Sequence, residues 1–331
     1  MSVLLQASGL CQQYTTGKTL FKHPTVVRAV DSIDLEIREG EIAGIVGESG
    51  SGKSTLGRML LGIEPPYRGE LTWRGAPMPA PGTPEWRRLR REMQLIFQDP
   101  LAALDRRMTI ADQIGEPLEI HGLVPREAIR NRVSELMGKV GLRPDQAGRY
   151  PHELSGGQRQ RVVIARALAM APKFLVCDEP VSALDVSIQA QVVNLLYDLK
   201  LEEGLTMVFI SHDLKVVRNL CDRVVVMYLG RIVEEGPADE IFANPRHPYT
   251  QALVSSVPSA GRGHAKRILL QGEPPNPASR PSGCAFHPRC HLADAACKAE
   301  APALIRDSHR LAACLKLRAA PNQDQVREIH A

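Results

Sequence analysis

Gly47-Glu48-Ser49-Gly50-Ser51-Gly52-Lys53-Ser54-Thr55 matches the spacing G-x-x-x-x-G-K-[ST] in full. Glycines at such positions let backbone N–H groups converge on phosphate oxygens where a Cβ would obstruct the turn. A helix beginning there adds the positive end of its dipole. Lys53 is then placed to reach β- and γ-phosphates, and the Ser54 hydroxyl to ligate Mg2+. A complementary acidic element lies far along the chain, at Phe174-Leu-Val-Cys-Asp178-Glu179. Asp178, closing an apolar run, suits orientation of that Mg2+ through its water shell. Glu179 points the other way in an extended chain and suits polarisation of an attacking water. The chemistry implied is binding and hydrolysis of a nucleoside triphosphate.

Strands and helices must hold these groups. Ile33, Leu35 and Ile37 alternate with Asp34, Glu36 and Arg38, the period of a half-buried strand. Ile42 to Val46 is a short apolar run bounded by glycines, expected as a buried strand, with a helix from Leu56 to Leu61 after the loop. Further strands are expected at Leu95 to Phe97, Phe174 to Cys177 and Met207 to Ile210. Helical segments separate them, which predicts an α/β fold with a mostly parallel sheet and crossover helices. Ile188, Val192, Leu195, Leu196 and Leu199 share one helical face. Ala76 to Pro84 reads as a loop, and the basic run Trp86 to Glu92 as a solvated helix face rather than a nucleic-acid patch.

Leu154-Ser155-Gly156-Gly157-Gln158 resembles the signature motif of ABC-type ATPases, and it stands between the phosphate loop and the Asp-Glu strand, as it does there. Ser155 is suited to cap a helix whose first N–H groups, freed by Gly156 and Gly157, receive an anion. The resemblance implies a P-loop NTPase with a RecA-like core, an antiparallel β subdomain and a helical subdomain at about 102–170. It also implies a head-to-tail pair of ATPase subunits, identical or different, in which one signature meets the phosphate loop of the other. Position by position, Gln98 matches the glutamine that contacts Mg2+ and the attacking water. Ser182 to Asp185 matches the interface loop, and His212 the histidine facing the γ-phosphate. Tyr14 is the candidate for stacking on adenine, with Phe21 as competitor, separated from the next strand by a loop from Thr15 to Val27. Site residues so implied are Glu179, His212 and Gln98 for catalysis, and Gly47 to Thr55, Tyr14, Asp178 and Ser155 to Gln158 for ATP. Ser54, Gln98 and Asp178 serve Mg2+.

The tail differs in composition. Fourteen prolines fall in residues 1–236 and eleven in 237–331, and four of seven cysteines, Cys284, Cys290, Cys297 and Cys314, lie in one stretch. A boundary is expected near Gly236, giving a nucleotide-binding domain at 1–236 and an extension at 237–331. Asn244 to Leu253 (NPRHPYTQAL) and Gly283 to Cys290 (GCAFHPRC) resemble the tail of oligopeptide and dipeptide importer ATPases, as do Gly44 to Ser49 and Val181 to Ser187. Leu101 to Arg106 departs from relatives in lacking Asn-Pro after the glutamine. The four thiols lack the close C-x2–4-C pairs usual for zinc and suit a [4Fe–4S] cluster, which related peptide-transporter ATPases carry in this region. His287, His291 and His309 are nearby alternatives to a thiolate. Cys11, Cys177 and Cys221 sit among apolar neighbours and read as small core residues.

The 331 residues carry 41 Lys and Arg against 37 Asp and Glu, a net charge of +4, with 44% hydrophobic residues and no low-complexity tract, which excludes a wholly disordered chain. No apolar run approaches the ~20 residues that span a bilayer. The N-terminus lacks the basic start of a signal peptide. These features suit a soluble, cytosolic chain; the resemblance implies an ATPase held at the cytoplasmic face of the inner membrane, driving uptake of di- or oligopeptides. Its expected partners are a second ATPase subunit, two transmembrane permease subunits and, indirectly, an extracytoplasmic solute-binding protein. Nickel, opine or glutathione as cargo is the alternative. A soluble ATPase acting on nucleic acid or ribosomes is the rival class; a single signature and no sustained heptad argue against it, and no nucleic-acid partner is expected.

Overall fold

Ile42–Val46 is buried along its whole length because its two faces serve two different cores. Ile42 and Val46 join one cluster, with the helices and the tail; Ala43 and Ile45 join another, beneath the antiparallel sheet. The same division runs through the neighbouring strands: Leu175 and Cys177 against Phe174 and Val176, Met207 and Phe209 against Val208 and Ile210. A parallel strand covered on both faces needs a continuous apolar run, as these have. The computed structural model describes residues 2–16, 25–257 and 268–319.

Ile42–Val46 lies between Thr206–Ser211 and Arg223–Tyr228, parallel to both, and Phe174–Asp178 and Met93–Ile96 extend that side of the sheet. On the other side Arg231–Pro237 turns back antiparallel, followed by the tail hairpin Arg310–Ala312 and Ile305–Asp307, which makes eight strands among the described residues. A second, four-stranded antiparallel sheet places Thr25–Arg38, Val3–Thr16, Arg68–Trp73 and Ala76–Pro77 side by side. Helix Lys53–Leu60 packs beneath it, with Leu56, Met59 and Leu60 fully buried. The expected RecA-like core and antiparallel subdomain are both present.

Helices Ile110–Ile120, Arg126–Lys139 and Gly156–Leu168 form the helical part between the sheet strands. The long helix Val186–Glu203 buries Val192, Leu196 and Leu199 and leaves Ile188 and Leu195 half-buried. Helix Pro84–Glu92 is capped by Thr83, whose hydroxyl accepts the Trp86 N–H at 3.2 Å. It buries Leu89, lays Arg90 over the Trp86 ring and turns Arg87 and Arg88 to solvent. Two local expectations need correction. The strand at 95–97 is Met93–Ile96, and Phe97 lies beyond it, 51% exposed. Thr15 and Thr16, and Thr25 to Val27, belong to paired strands rather than a loop.

The tail is built into the larger core. Ala238, Ile241, Phe242, Tyr249 and Phe286 join the cluster that holds Ile42 and Val46. Glu234, fully buried in Arg231–Pro237, accepts the N–H groups of Arg246 and His247 at 2.8 Å each and pairs with Arg310 at 2.7 Å. That carboxylate therefore ties two tail segments, at Arg246-His247 and at Arg310, to the sheet.

Candidate nucleotide site

The strand Ile42–Val46 delivers the phosphate loop and the helix Lys53–Leu60 receives it. Gly52 caps this helix at φ 98°, and a Cβ there would stand 2.0 Å from the Ala29 carbonyl oxygen. A Cβ on Gly47 would stand 2.2 Å from the Met227 carbonyl oxygen. Both glycines let the loop lie directly on neighbouring strands. Ser49 and Gly50 form its exposed tip.

Lys53 is buried, and its ammonium donates to the carbonyls of Gly47 and Glu48 at 2.8 and 3.0 Å. Burial pulls its pKa down, while the charges of Glu179, Asp178 and Glu48 act in the opposite sense. The Ser54 hydroxyl donates to Asp178 Oδ1 at 2.8 Å. Burial raises the Asp178 pKa against that hydrogen bond. A hydroxyl and a carboxylate in contact are hard oxygen donors of the kind Mg2+ takes. Ser51 Oγ is buried with no partner among the described residues, a polar atom inside the loop that a phosphate oxygen would satisfy.

Glu179 is gripped from two sides. Gln98 Nε2 donates to its Oε2 at 3.0 Å, and His212 Nδ1 lies 3.1 Å from the same oxygen. Its backbone is left-handed at φ 47°, fixed by its N–H donating to the Ile210 carbonyl at 3.0 Å. A non-glycine residue held there costs on the order of 1–3 kcal/mol, a pattern that clusters at functional sites. Ser182, opening the following loop, returns its hydroxyl to the Glu179 carbonyl at 3.1 Å. Lys53, Ser54, Asp178, Glu179, Gln98 and His212, widely spaced in sequence, thus meet at the ends of adjacent parallel strands.

The signature residues stand apart. Ser155 caps Gly156–Leu168, its hydroxyl accepting the Gln158 N–H at 3.3 Å while Gln158 Oε1 accepts the Ser155 N–H at 2.9 Å. Among the described residues no hydrogen bond or ion pair joins this group to the phosphate loop, and Ser155 and Gly156 are exposed. Tyr14 lies beside the loop's helix, its hydroxyl bonded to Glu64 and 3.4 Å from Thr55 Oγ1, with the ring partly exposed. Phe21 lies outside the described residues.

Cys284, Cys290, Cys297 and Cys314 line one small cavity of about 10 Å3 with His247, Phe286 and His287. Burial pushes the Cys284, Cys290 and Cys314 thiols up, and the other tail thiols add to the rise. Among the described residues, however, no three His, Cys, Asp or Glu side chains stand close enough to hold one metal ion. The four cysteines are gathered without forming a single-ion site.

The tail also supplies contacts that sequence reasoning missed. Arg289 grips the Glu48 carboxylate, and the Tyr249 hydroxyl accepts the Glu48 N–H at 2.8 Å. Both residues fall in motifs legible as a subfamily tail, yet nothing local in them points to the loop.

Fold and site define an ABC-type ATPase. The ABC transporter family model matches residues 30–182, and the oligopeptide/dipeptide transporter C-terminal region matches residues 233–297. The oligopeptide transport ATP-binding protein OppF of Salmonella typhimurium is 50% identical over 306 residues, covering 91% of this chain and 92% of that protein. The di/tripeptide transport ATP-binding protein DppF of Pseudomonas aeruginosa is 48% identical over 315 residues, covering 95% and 98%. Among solved structures, the dimeric post-hydrolysis ATP-binding cassette MJ0796 with ADP and Pi aligns with TM-score 0.63 and 30% identity, over 71% of this chain and 99% of that one. The chain belongs to the family of oligopeptide and dipeptide transport ATP-binding proteins. It is an ATPase, and no helix among the described residues is long and apolar enough to cross a membrane.

Proposed function

We propose that this chain is the motor subunit of a di- or oligopeptide importer, hydrolysing ATP to drive uptake through separate membrane subunits. The observation that carries this is the convergence of Gln98 and His212 on Glu179, beside the Ser54–Asp178 contact. Lys53 leaves its loop carbonyls to meet the β- and γ-phosphates, and the loop's N–H groups and Ser51 hydroxyl hold their oxygens. Ser54, Gln98 and Asp178 would hold a Mg2+, which would offset phosphate charge. The Glu179 carboxylate takes the proton of the attacking water, while His212 faces the γ-phosphate. Catalysis is then chiefly positioning and charge stabilisation. Tyr14 is the residue assigned in this reading to stacking on adenine, supported by its partly exposed ring beside the loop's helix.

The exposed start of the helix at Ser155 to Gln158 is what a second ATPase subunit's phosphate-bound nucleotide would meet, in a head-to-tail pair at the inner membrane face. Residues 1–236 form the nucleotide-binding part in this reading, and 237–331 the importer-type extension. Peptide cargo follows from the named relatives and the tail match. Glu179→Gln is expected to keep ATP binding while hydrolysis falls by about 10²–10⁴-fold, the usual weight of a general base. Turnover near the wild-type rate would overturn the assignment.

The tail cysteines are the second part of the proposal. In a [4Fe–4S] cluster each thiolate binds its own iron, so the four need not converge on one point. Four thiols around one cavity support that donor set, with Cys284, Cys290, Cys297 and Cys314 as ligands. Protein purified without oxygen is expected to carry iron and sulfide in equal amounts. One equivalent of zinc without iron would defeat this reading.

A further inference from the structure

Glu48 is an awkward residue for a loop that cradles phosphates, because its carboxylate brings negative charge to an anion site. That charge is already felt at Lys53, whose ammonium it favours. The tail answers it. Arg289, its side chain 6% exposed, donates from Nη1 and Nη2 to the two Glu48 carboxylate oxygens at 2.7 and 2.9 Å. Such a bidentate fork fixes direction as well as charge. The backbone of Glu48 is held too: its N–H donates to Tyr249 Oη at 2.8 Å, and its carbonyl accepts Lys53 Nζ at 3.0 Å.

The arm presenting these groups is itself built firmly. Tyr249 is fully buried, with its ring centroid 4.7 Å from that of Tyr228 and 5.4 Å from that of Phe286. Arg289 closes the turn His287–Arg289, which is framed by two of the gathered cysteines. The His287 N–H donates to the Cys284 carbonyl at 3.0 Å, the Cys290 N–H to the His287 carbonyl at 3.3 Å, and the Cys284 N–H to the Cys297 carbonyl at 2.9 Å.

We propose that Arg289 and Tyr249 are positioning residues for ATP binding: the tail neutralises and anchors Glu48 so that the phosphate loop can accept a triphosphate. When Lys53 leaves the Glu48 carbonyl for the nucleotide, Arg289 and Tyr249 keep the residue in place. This rests on residues 47–55 being the ATP phosphate loop.

The test is equilibrium binding of Mg-ATP to the full chain by titration calorimetry, with thermal unfolding followed on the same samples. Arg289→Gln is expected to weaken ATP binding at least tenfold. The double variant Arg289→Gln/Glu48→Gln, which removes the stranded carboxylate, is expected to bind within about threefold of Glu48→Gln alone. Arg289→Lys keeps the charge but not the fork and should fall between. Tyr249→Phe should weaken binding with the Arg289–Glu48 pair intact. Unchanged affinity in Arg289→Gln overturns the proposal, as does a loss that Glu48→Gln fails to rescue, since loosened tail packing would not respond to that change. If Arg289→Gln does not fold, the comparison of Arg289→Lys with Arg289→Lys/Glu48→Gln decides in the same way. Wild-type protein that binds no ATP would instead remove the phosphate-loop reading beneath it.

Discussion

Gly157 is buried where the signature helix Gly156–Leu168 crosses Val186–Glu203, and an added Cβ would stand 2.4 Å from Ile188 Cγ2. Phosphate chemistry suits both signature glycines to baring N–H groups; for Gly157 close helix packing is a further reason. Gly157→Ala is expected to lower stability by about 1–3 kcal/mol through overpacking. Gly157→Ala/Ile188→Ala should recover part of that in urea unfolding, and a double variant no better than the single would remove the clash as the cause. Lys53, Ser54, Asp178 and Glu179 were legible because their types follow from phosphate chemistry at short spacing. Gln98 and His212 were legible only through the ordered family series, since a lone Gln or His carries no signal. Arg289 was not legible, because its partner lies 241 residues away and neither neighbourhood announces the pairing.

At the level of elements, strand runs read correctly where both faces were apolar, as in Ile42–Val46 and Thr206–Ser211. Ends were harder. Phe97 continues an apolar run but has left the sheet, and the long hairpin carries strand pairing out to Thr16 and Thr25, past any core signal. The tail hairpin of Ile305–Asp307 and Arg310–Ala312 had no sequence signature, for each strand is only three residues long. Arg310, with its side chain 4% exposed, faces a Glu234 carboxylate with none of its surface exposed. Arg310→Ala would strand that buried charge, and losses of about 3–5 kcal/mol are usual in that case. Differential scanning calorimetry should show a clear fall in the unfolding temperature. A change within about 0.5 kcal/mol, the scale of ordinary surface substitutions, would mean that water reaches Glu234 and that its pairing with Arg310 does not tie the tail to the sheet.

For the whole molecule, the compositional break near Gly236 marks a change in sequence character that the packing does not follow. The tail shares the sheet, the main core and a direct hold on the phosphate loop. Net charge of +4 had no bearing on any of this. What the composition could not convey is that the proline- and cysteine-rich segment folds back over the strands that carry the chemistry, because that depends on contacts between distant parts of the chain.

The Arg289–Glu48 contact also bears on the order of synthesis. The loop leaves the ribosome early, and its carboxylate waits for a partner made 241 residues later. At about 5–20 residues per second that interval is roughly 10–50 s. An unfinished chain carries the phosphate-binding motif but lacks the arginine that suits it to a nucleotide. On the role proposed for Arg289, a chain halted short of that residue is expected to bind ATP more weakly than one that has passed it.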